Sequence, residues 1–376
     1  MALARRAKPF PLRGASVRMR WGGVGVVLLG LLGGVALLTA ATRTGRYLVR
    51  AAWEEGKILR GRRDIAGLVA SDRLDARTRG KLSLVLAARA FANDSLGLPA
   101  REAFTQFTQL PSDTLVLVLS GAARDTLAAV TWWFPVVGHV PYKGFFDVRE
   151  AVREERRMRE RGLDAYLRPA AAFSTLGWFN DPVLSTTLRG DSSDIANTVL
   201  HELTHNRFFA RSAAVFNESF ASFVGARGAA AFFRARGDTG NALRTERRWD
   251  DDKRLAAFWT RVRDSLEIAY AAHPGPAGRP ARLASRDSVY AWARRQLVDS
   301  VTPTLTTYPP GYGSRVPLNN AALLARRIYM SGLGDFDVVW ERHGRDLQKT
   351  IAKVIELAKA AKGDEAGAIA RYVRAP

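Results

Sequence analysis

Two histidines four residues apart, with a glutamate after twelve further residues, constrain this chain more than any other feature. The stretch is Thr198-Val199-Leu200-His201-Glu202-Leu203-Thr204-His205, followed by Asn217-Glu218-Ser219-Phe220. On a helix, that spacing puts His201 and His205 one turn apart on one face, able to share a metal ion. Glu202 stands beside the first of them, within reach of a water held at that ion. Two imidazole ligands and an adjacent carboxylate base make the HExxH pattern of zinc hydrolases. The fold must then bring a second helix against the first, so that Glu218 supplies a third ligand. A first-turn glutamate favoured by the helix dipole is the competing reading of Glu218, and both can hold together.

Three observations favour a metal helix over a surface helix that happens to carry two histidines. The chain has only five histidines, and two fall in the motif. Val199, Leu200, Leu203 and Thr204 are uncharged, as burial of the helix requires; Arg207 departs from this just past the second histidine. Asn217 offers an N-cap for a second apolar helix over residues 217–233, and after Glu218 the next acid is Asp238, beyond that helix. There is no cysteine, so no thiolate ligand, disulfide or lipidation at an export signal is available.

Charge bears on partners. The 57 basic and 36 acidic residues leave a net charge of +21. Arg5, Arg6, Lys8, Arg13, Arg18 and Arg20 precede residues 21–41, which carry no charge and are rich in Gly, Val and Leu. That run matches the length of a bilayer-spanning helix. The basic flank keeps residues 1–20 in the cytoplasm and exports the remainder. A cleaved signal peptide is the alternative, with small residues at Leu38-Thr39-Ala40-Ala41. The remaining basic excess is dispersed, with no aromatic–basic motif for nucleic acid, and an anionic membrane surface can use it.

Taken in order, residues 44–98 read as helices, with Leu82, Val85, Leu86 and Ala90 at helical spacing and Gly97-Leu98-Pro99 as the stop. Residues 114–119 and 128–134 read as buried strands with Asp125 in the turn between. Residues 135–144 mix turns with exposed rings and amines, 149–161 form a charged amphipathic helix, and 164–168 a strand. The aromatic loop at residues 174–182 precedes the metal helix as a substrate wall or a packing loop. Asp191-Ser192-Ser193-Asp194 caps that helix. A long charged helix covers 241–272, breaker-rich loops follow at 274–280 and 308–313, Leu318-Asn319-Asn320-Ala321 opens a helix carrying Tyr329, and one amphipathic helix covers 335–362. There is no internal repeat.

With these residues in hand, the chain resembles a bacterial family of predicted zinc aminopeptidases over residues 45–336. The matching stretches are Trp133-Phe134-Pro135-Val136-Val137-Gly138, Tyr142-Lys143-Gly144-Phe145-Phe146, residues 174–182, the HExxH helix, Asn217-Glu218-Ser219-Phe220-Ala221 and Leu318-Asn319-Asn320-Ala321. The resemblance implies removal of amino-terminal residues from peptides. Glu218 is similar to the third ligand of thermolysin-like enzymes, which place an acid four residues later to orient a histidine; here Ser222 stands there.

The expectation is a predominantly helical α+β, zincin-like metallopeptidase. His201, His205 and Glu218 hold Zn2+, and Glu202 is the general base that later protonates the leaving amine. Tyr329, Tyr312, Tyr142 and His139 are candidate oxyanion donors, Tyr329 first because of its helix. Asp181 and Asp147 are candidates to hold a substrate ammonium. The domains are a cytoplasmic basic tail (1–20), a transmembrane anchor (21–41), the peptidase domain (45–340) and a C-terminal helix and tail (341–376), with catalysis on the extracytoplasmic, periplasmic side. Peptide or protein is the substrate and nucleic acid is not a partner. An envelope endopeptidase and a non-catalytic zinc-stabilised envelope binding protein are the alternatives, the second opposed by the intact Glu202.

Overall fold

A computed structural model describes residues 42–111, 116–134, 138–170, 182–361 and 363–376. The expected bilayer segment at 21–41, and residues 174–181 of the aromatic loop with Asp181, lie outside them. Among the described residues, no helix is long and apolar enough to cross a membrane. The chain divides into two units, Met1–Lys57 and Ile58–Pro376. What is described of the first is the body of helix α1 (Arg43–Arg60), whose last turn falls in the second.

The second unit is a predominantly helical α+β fold. A short strand β1 (Arg63–Asp64) leads into α2 (Ile65–Ala70) and α3 (Ala76–Leu96), with Asp64 and Asp75 accepting first-turn amides as N-caps. Gly97 ends α3 in the left-handed region at φ 65°, where glycine carries no steric cost. The buried stripe of α3 is Leu82, Val85, Ala88, Ala92 and Leu96, whereas Leu86 is half-buried and Ala90 exposed. The expected stripe starts correctly and then drifts off the 3.6-residue period.

Three small sheets follow. β2 (Gln106–Thr108) pairs with β1 and with β8 (Val183–Leu184). β3 (Val116–Ala122) lies between β6 (Lys143–Phe145) and β7 (Asp164–Ala170), antiparallel to both. β4 (Trp132–Phe134) pairs with β5 (Gly138–Val140). The strand expected at 128–134 is therefore realised only at its end, plus a single bridge from Ala129 to Ala122. β3 continues three residues past its expected end. Helix α4 (Val148–Glu160) packs on one face of the central sheet, where Ala151 and Met158 meet Leu119, Phe145 and Ala165.

The remaining helices are α5 (Ser192–Arg207), α6 (Ala214–Ala235), α7 (Thr239–Ala271), α8 (Arg279–Gln296), α9 (Tyr312–Arg315), α10 (Asn320–Arg327), α11 (Leu333–Arg342), α12 (Leu347–Ala361) and α13 (Glu365–Arg374). α6 is apolar nearly all round and lies at the centre of the largest core, between α5, α7 and α11. Phe220 and Phe223 stack on Phe336 at 5.9 and 5.6 Å between ring centres. The single helix expected over 335–362 is broken: Gly344 and Arg345 both take positive φ, 65° and 63°, and end α11 before α12 begins. A further helix, α13, stands where a tail was expected.

Candidate metal centre

The centre is built from the helix caps inward. Asp191 and Asp194 form a reciprocal capping box at the start of α5, with amide-to-carboxylate distances of 3.0 and 3.3 Å. Ile195, Ala196, Val199, Leu200 and Leu203 bury one face of α5 against α3 and α6. The neighbouring stripe carries His201 and His205, whose rings lie 5.1 Å apart and nearly perpendicular.

Asn217 does something other than the expected capping. Helix α6 begins three residues earlier, at Ala214, because Ala214-Val215-Phe216 continues its apolar pattern and Phe216 stacks on Phe220. The Asn217 side chain, 2 % exposed, instead clamps the α5–α6 loop. It accepts from the Ala210 amide at 2.9 Å and donates to the Ala210 carbonyl at 2.7 Å. That clamp fixes the start of α6, and the next residue, Glu218, meets both imidazoles. Its carboxylate oxygens lie 3.2 Å from His201 Nε2 and 3.7 Å from His205 Nε2.

Close approach of the helices depends on Gly225. A Cβ there would lie 2.6 Å from Asn197 Oδ1, 3.0 Å from the Asn197 carbonyl and 3.2 Å from His201 Cβ. α6 thus rests directly on the backbone of α5 one turn before the first histidine.

The three donor atoms all lie within 4.8 Å of one another. Tetrahedral zinc with ligands at about 2.0–2.2 Å separates them by about 3.3–3.6 Å. The 3.2 and 3.7 Å contacts bracket that spacing, and two imidazoles with one carboxylate suit the ion chemically. Burial would raise the Glu218 carboxyl, but hydrogen bonds from His201 and His205 outweigh it and hold the pKa at about 2. Burial would lower the His205 imidazole, but the Glu218 bond and charge, with the Glu202 charge, keep it above its ordinary value. His205 Nδ1 is buried with no partner among the described residues, in keeping with the missing acid at Ser222.

Glu202 is half-buried beside His205 and makes no hydrogen bond or ion pair among the described residues. Tyr329 lies just past the end of α10, in the turn, and not on the helix as expected. The Ser331 amide donates to Ser219 Oγ at 3.4 Å and so lays this turn over α6 next to Glu218. Tyr142 comes to the same place from the β5–β6 connection. Burial and then the Glu218 charge raise both phenols above the ordinary range, while Arg168 opposes. Both therefore remain protonated donors at neutral pH. Each leaves 37 % of its surface in solvent, which puts the pair on the open side of the centre.

The other two candidate donors are elsewhere. Tyr312 packs on Tyr308 at 4.6 Å, beside Asp252, and His139 is exposed on β5 with Nδ1 3.5 Å from Thr131 Oγ1. Asp147 caps α4, accepting from the Arg149 and Glu150 amides at 2.8 and 3.2 Å.

Sequence reasoning missed Arg168. It lies on β7, opposite Val118, with its guanidinium 5.8 Å from the Tyr329 ring centre. The available signal was strand alternation, which puts Tyr166 and Arg168 on the same face. The Leu318–Ala321 block has a structural meaning. Asn319 caps α10 through the Ala322 amide and donates to the Ala165 carbonyl of β7. Asn320, fully buried, bonds the Ala123 and Thr126 carbonyls, Tyr290 and, through its amide, Asp164. The block ties β7 to α10, and so Arg168 to Tyr329.

No curated protein and no solved structure matches the chain. A family described as "Putative aminopeptidase" has a model that matches residues 46–369, nearly the whole sequence. The match takes in both helices of the His201–His205–Glu218 centre and the turn bearing Tyr329, and the chain belongs to this aminopeptidase family.

Proposed function

We propose that the protein is a zinc-dependent metallopeptidase of zincin-like build that removes amino-terminal residues from peptides. The observation that carries this reading is the convergence of His201, His205 and Glu218 beside Glu202, whose carboxylate has no partner among the described residues. Zinc bound there supplies Lewis acidity toward water and the scissile carbonyl. Glu202 removes a proton from the attacking water and delivers it to the leaving amine. Tyr329 and Tyr142 donate to the oxygen on which negative charge develops. Residues 21–41 anchor the chain in the cell membrane, with residues 45–340 as the extracytoplasmic peptidase domain; the uncharged run and its basic flank support this.

An endopeptidase is the second reading. It is favoured by Asp147, a candidate ammonium site whose carboxylate is engaged as a helix cap.

The test is metal content and cleavage by the purified full chain. The expected result is about one zinc per chain, as for a mononuclear site, largely lost in His201→Ala. Peptides with free amino termini are cleaved and amino-blocked ones are not; cleavage of blocked internal bonds supports the endopeptidase. Undiminished zinc in His201→Ala removes the site assignment, and an inert parent removes the peptidase.

A further inference from the structure

Three guanidinium groups in this fold that are largely buried are matched to acids, whereas the half-buried Arg294 and Arg326 bond main-chain carbonyls and make no ion pair among the described residues. Arg227 pairs with Asp337 at 2.7 Å, Arg282 with Asp125 at 2.7 Å and Arg286 with Asp164 at 2.5 Å. Arg168 is half-buried and makes no ion pair among the described residues. It sits on β7, which pairs with β3 and with no other strand among those described. Alternation along β7 turns Tyr166 and Arg168 to the α10 side, where Arg326 lies 5.3 Å from the Tyr166 ring centre and Arg168 5.8 Å from that of Tyr329. The Ser331–Ser219 bond then sets that turn beside Glu218. Among the described residues Arg168 is therefore a cation without an acid partner on the rim of the candidate centre, and the Asn319 bond ties its strand to α10.

Its neighbours are of one kind. Tyr142 and Tyr329 are phenols that donate, and a guanidinium has five donors and no acceptor. A substrate ammonium is repelled by the guanidinium and finds acceptors only in the two phenol oxygens. An anionic oxygen gains charge-assisted hydrogen bonds from every member of it.

We propose that Arg168, flanked by Tyr142 and Tyr329, forms a subsite for an anionic oxygen of the substrate: the oxyanion of the tetrahedral species or the carboxylate of a short peptide. The inference rests on the peptidase reading and deepens it. It orients the substrate, since a free amino terminus must lie on the side of the centre away from Arg168.

Binding measured without turnover tests this. The probes are a phosphinic pseudo-dipeptide, alanyl-alanine and alanyl-alanine amide, titrated calorimetrically into the full-length protein. The two cleavable probes are used in a Glu202→Gln background. Arg168→Met is compared with its parent, and Arg168→Lys serves as the charge-conserving variant, with zinc content and melting temperature measured for each. Loss of a hydrogen bond to a charged group weakens binding roughly ten- to hundredfold. If the oxyanion is the ligand, Arg168→Met weakens the phosphinate by that factor and leaves the acid and amide alike. If the carboxylate is the ligand, it weakens alanyl-alanine and spares the amide. Arg168→Lys restores part of the loss in either case, because it keeps the charge without the planar fork. Arg168→Met and Arg168→Lys binding all three probes within twofold of the parent, or a parent that binds none of them, overturns the subsite. A zinc-free or peptide-inert parent that still shows the Arg168 dependence sinks the peptidase reading alone.

Discussion

Asn320 and Glu218 are both polar side chains in the opening turns of helices, and both stand among charged and hydroxyl-bearing neighbours. Around Asn320 the side chain donates at 2.8 Å to Ala123 and 3.0 Å to Thr126, accepts from Tyr290 at 2.8 Å, and the backbone amide reaches Asp164 at 2.9 Å. Asp164 is itself paired with Arg286. Around Glu218 the contacts are looser, 3.2 and 3.7 Å, and among the described residues His205 Nδ1 has no partner and Glu202 makes no bond. Apart from one buried guanidinium nitrogen, Arg286 Nε, the first cluster uses its donors and acceptors inside the fold, as buried polar groups normally do. The second retains unused capacity at one place. Near-saturation marks the polar cluster that holds the fold together, and looser bonding marks the one proposed to accept an ion and a substrate.

The largest effect that tests this contrast is Glu202→Gln. An unbonded side chain holds nothing in place, so zinc content and melting temperature should match the parent while kcat falls roughly 10²–10⁴-fold. A substantial loss of melting temperature would mean that Glu202 is structural after all. Asn320→Ala should behave in the opposite way. It leaves the Tyr290 hydroxyl and two carbonyls without their partner and should cost about 3 kcal/mol in denaturant unfolding, with zinc still bound by the folded fraction. Parent-like stability would remove the distinction.

The smallest effect concerns acidity in the ion-free protein. Glu218 is depressed from 4.5 to about 2, so its contribution is complete above about pH 4.5 and disappears as pH falls toward 2. His205 is held above 6.5, so its share is complete below that value and fades as pH rises through its folded pKa. The stability gap between the parent and Glu218→Gln should therefore peak between these limits, on the order of 1–3 kcal/mol, and narrow on both sides. A gap independent of pH would show that the carboxylate–imidazole contacts contribute no linkage.

The centre was legible because its geometry is mostly local. The spacing of His201 and His205 fixes their common face on any helix, and Glu218 follows at the next helix start. Glycine and aspartate signals placed the end of α3 and the start of α5 for the same reason. Arg168 was not legible: alternation fixes its face, but which helix covers that face is decided by the Asn319–Ala165 contact across 154 residues. Asn217 misled because asparagine before an apolar run is a local cap signal, and its actual partner, Ala210, belongs to a loop whose shape exists only after α5 and α6 have met. Gly344 was a readable helix stop that the amphipathic pattern on either side obscured.

Gly225 is no candidate ligand or base, yet a Cβ there would crowd both Asn197 and His201. In a screen for inactivating changes, Gly225→Ala should sort with His201→Ala and Glu218→Gln, losing zinc, and not with Glu202→Gln, which keeps it. Its stability cost should be about 1–3 kcal/mol, the usual range for overpacking. Genetic sensitivity in this chain is thus a poor map of chemistry: the most intolerant positions include one that is important only for what it lacks.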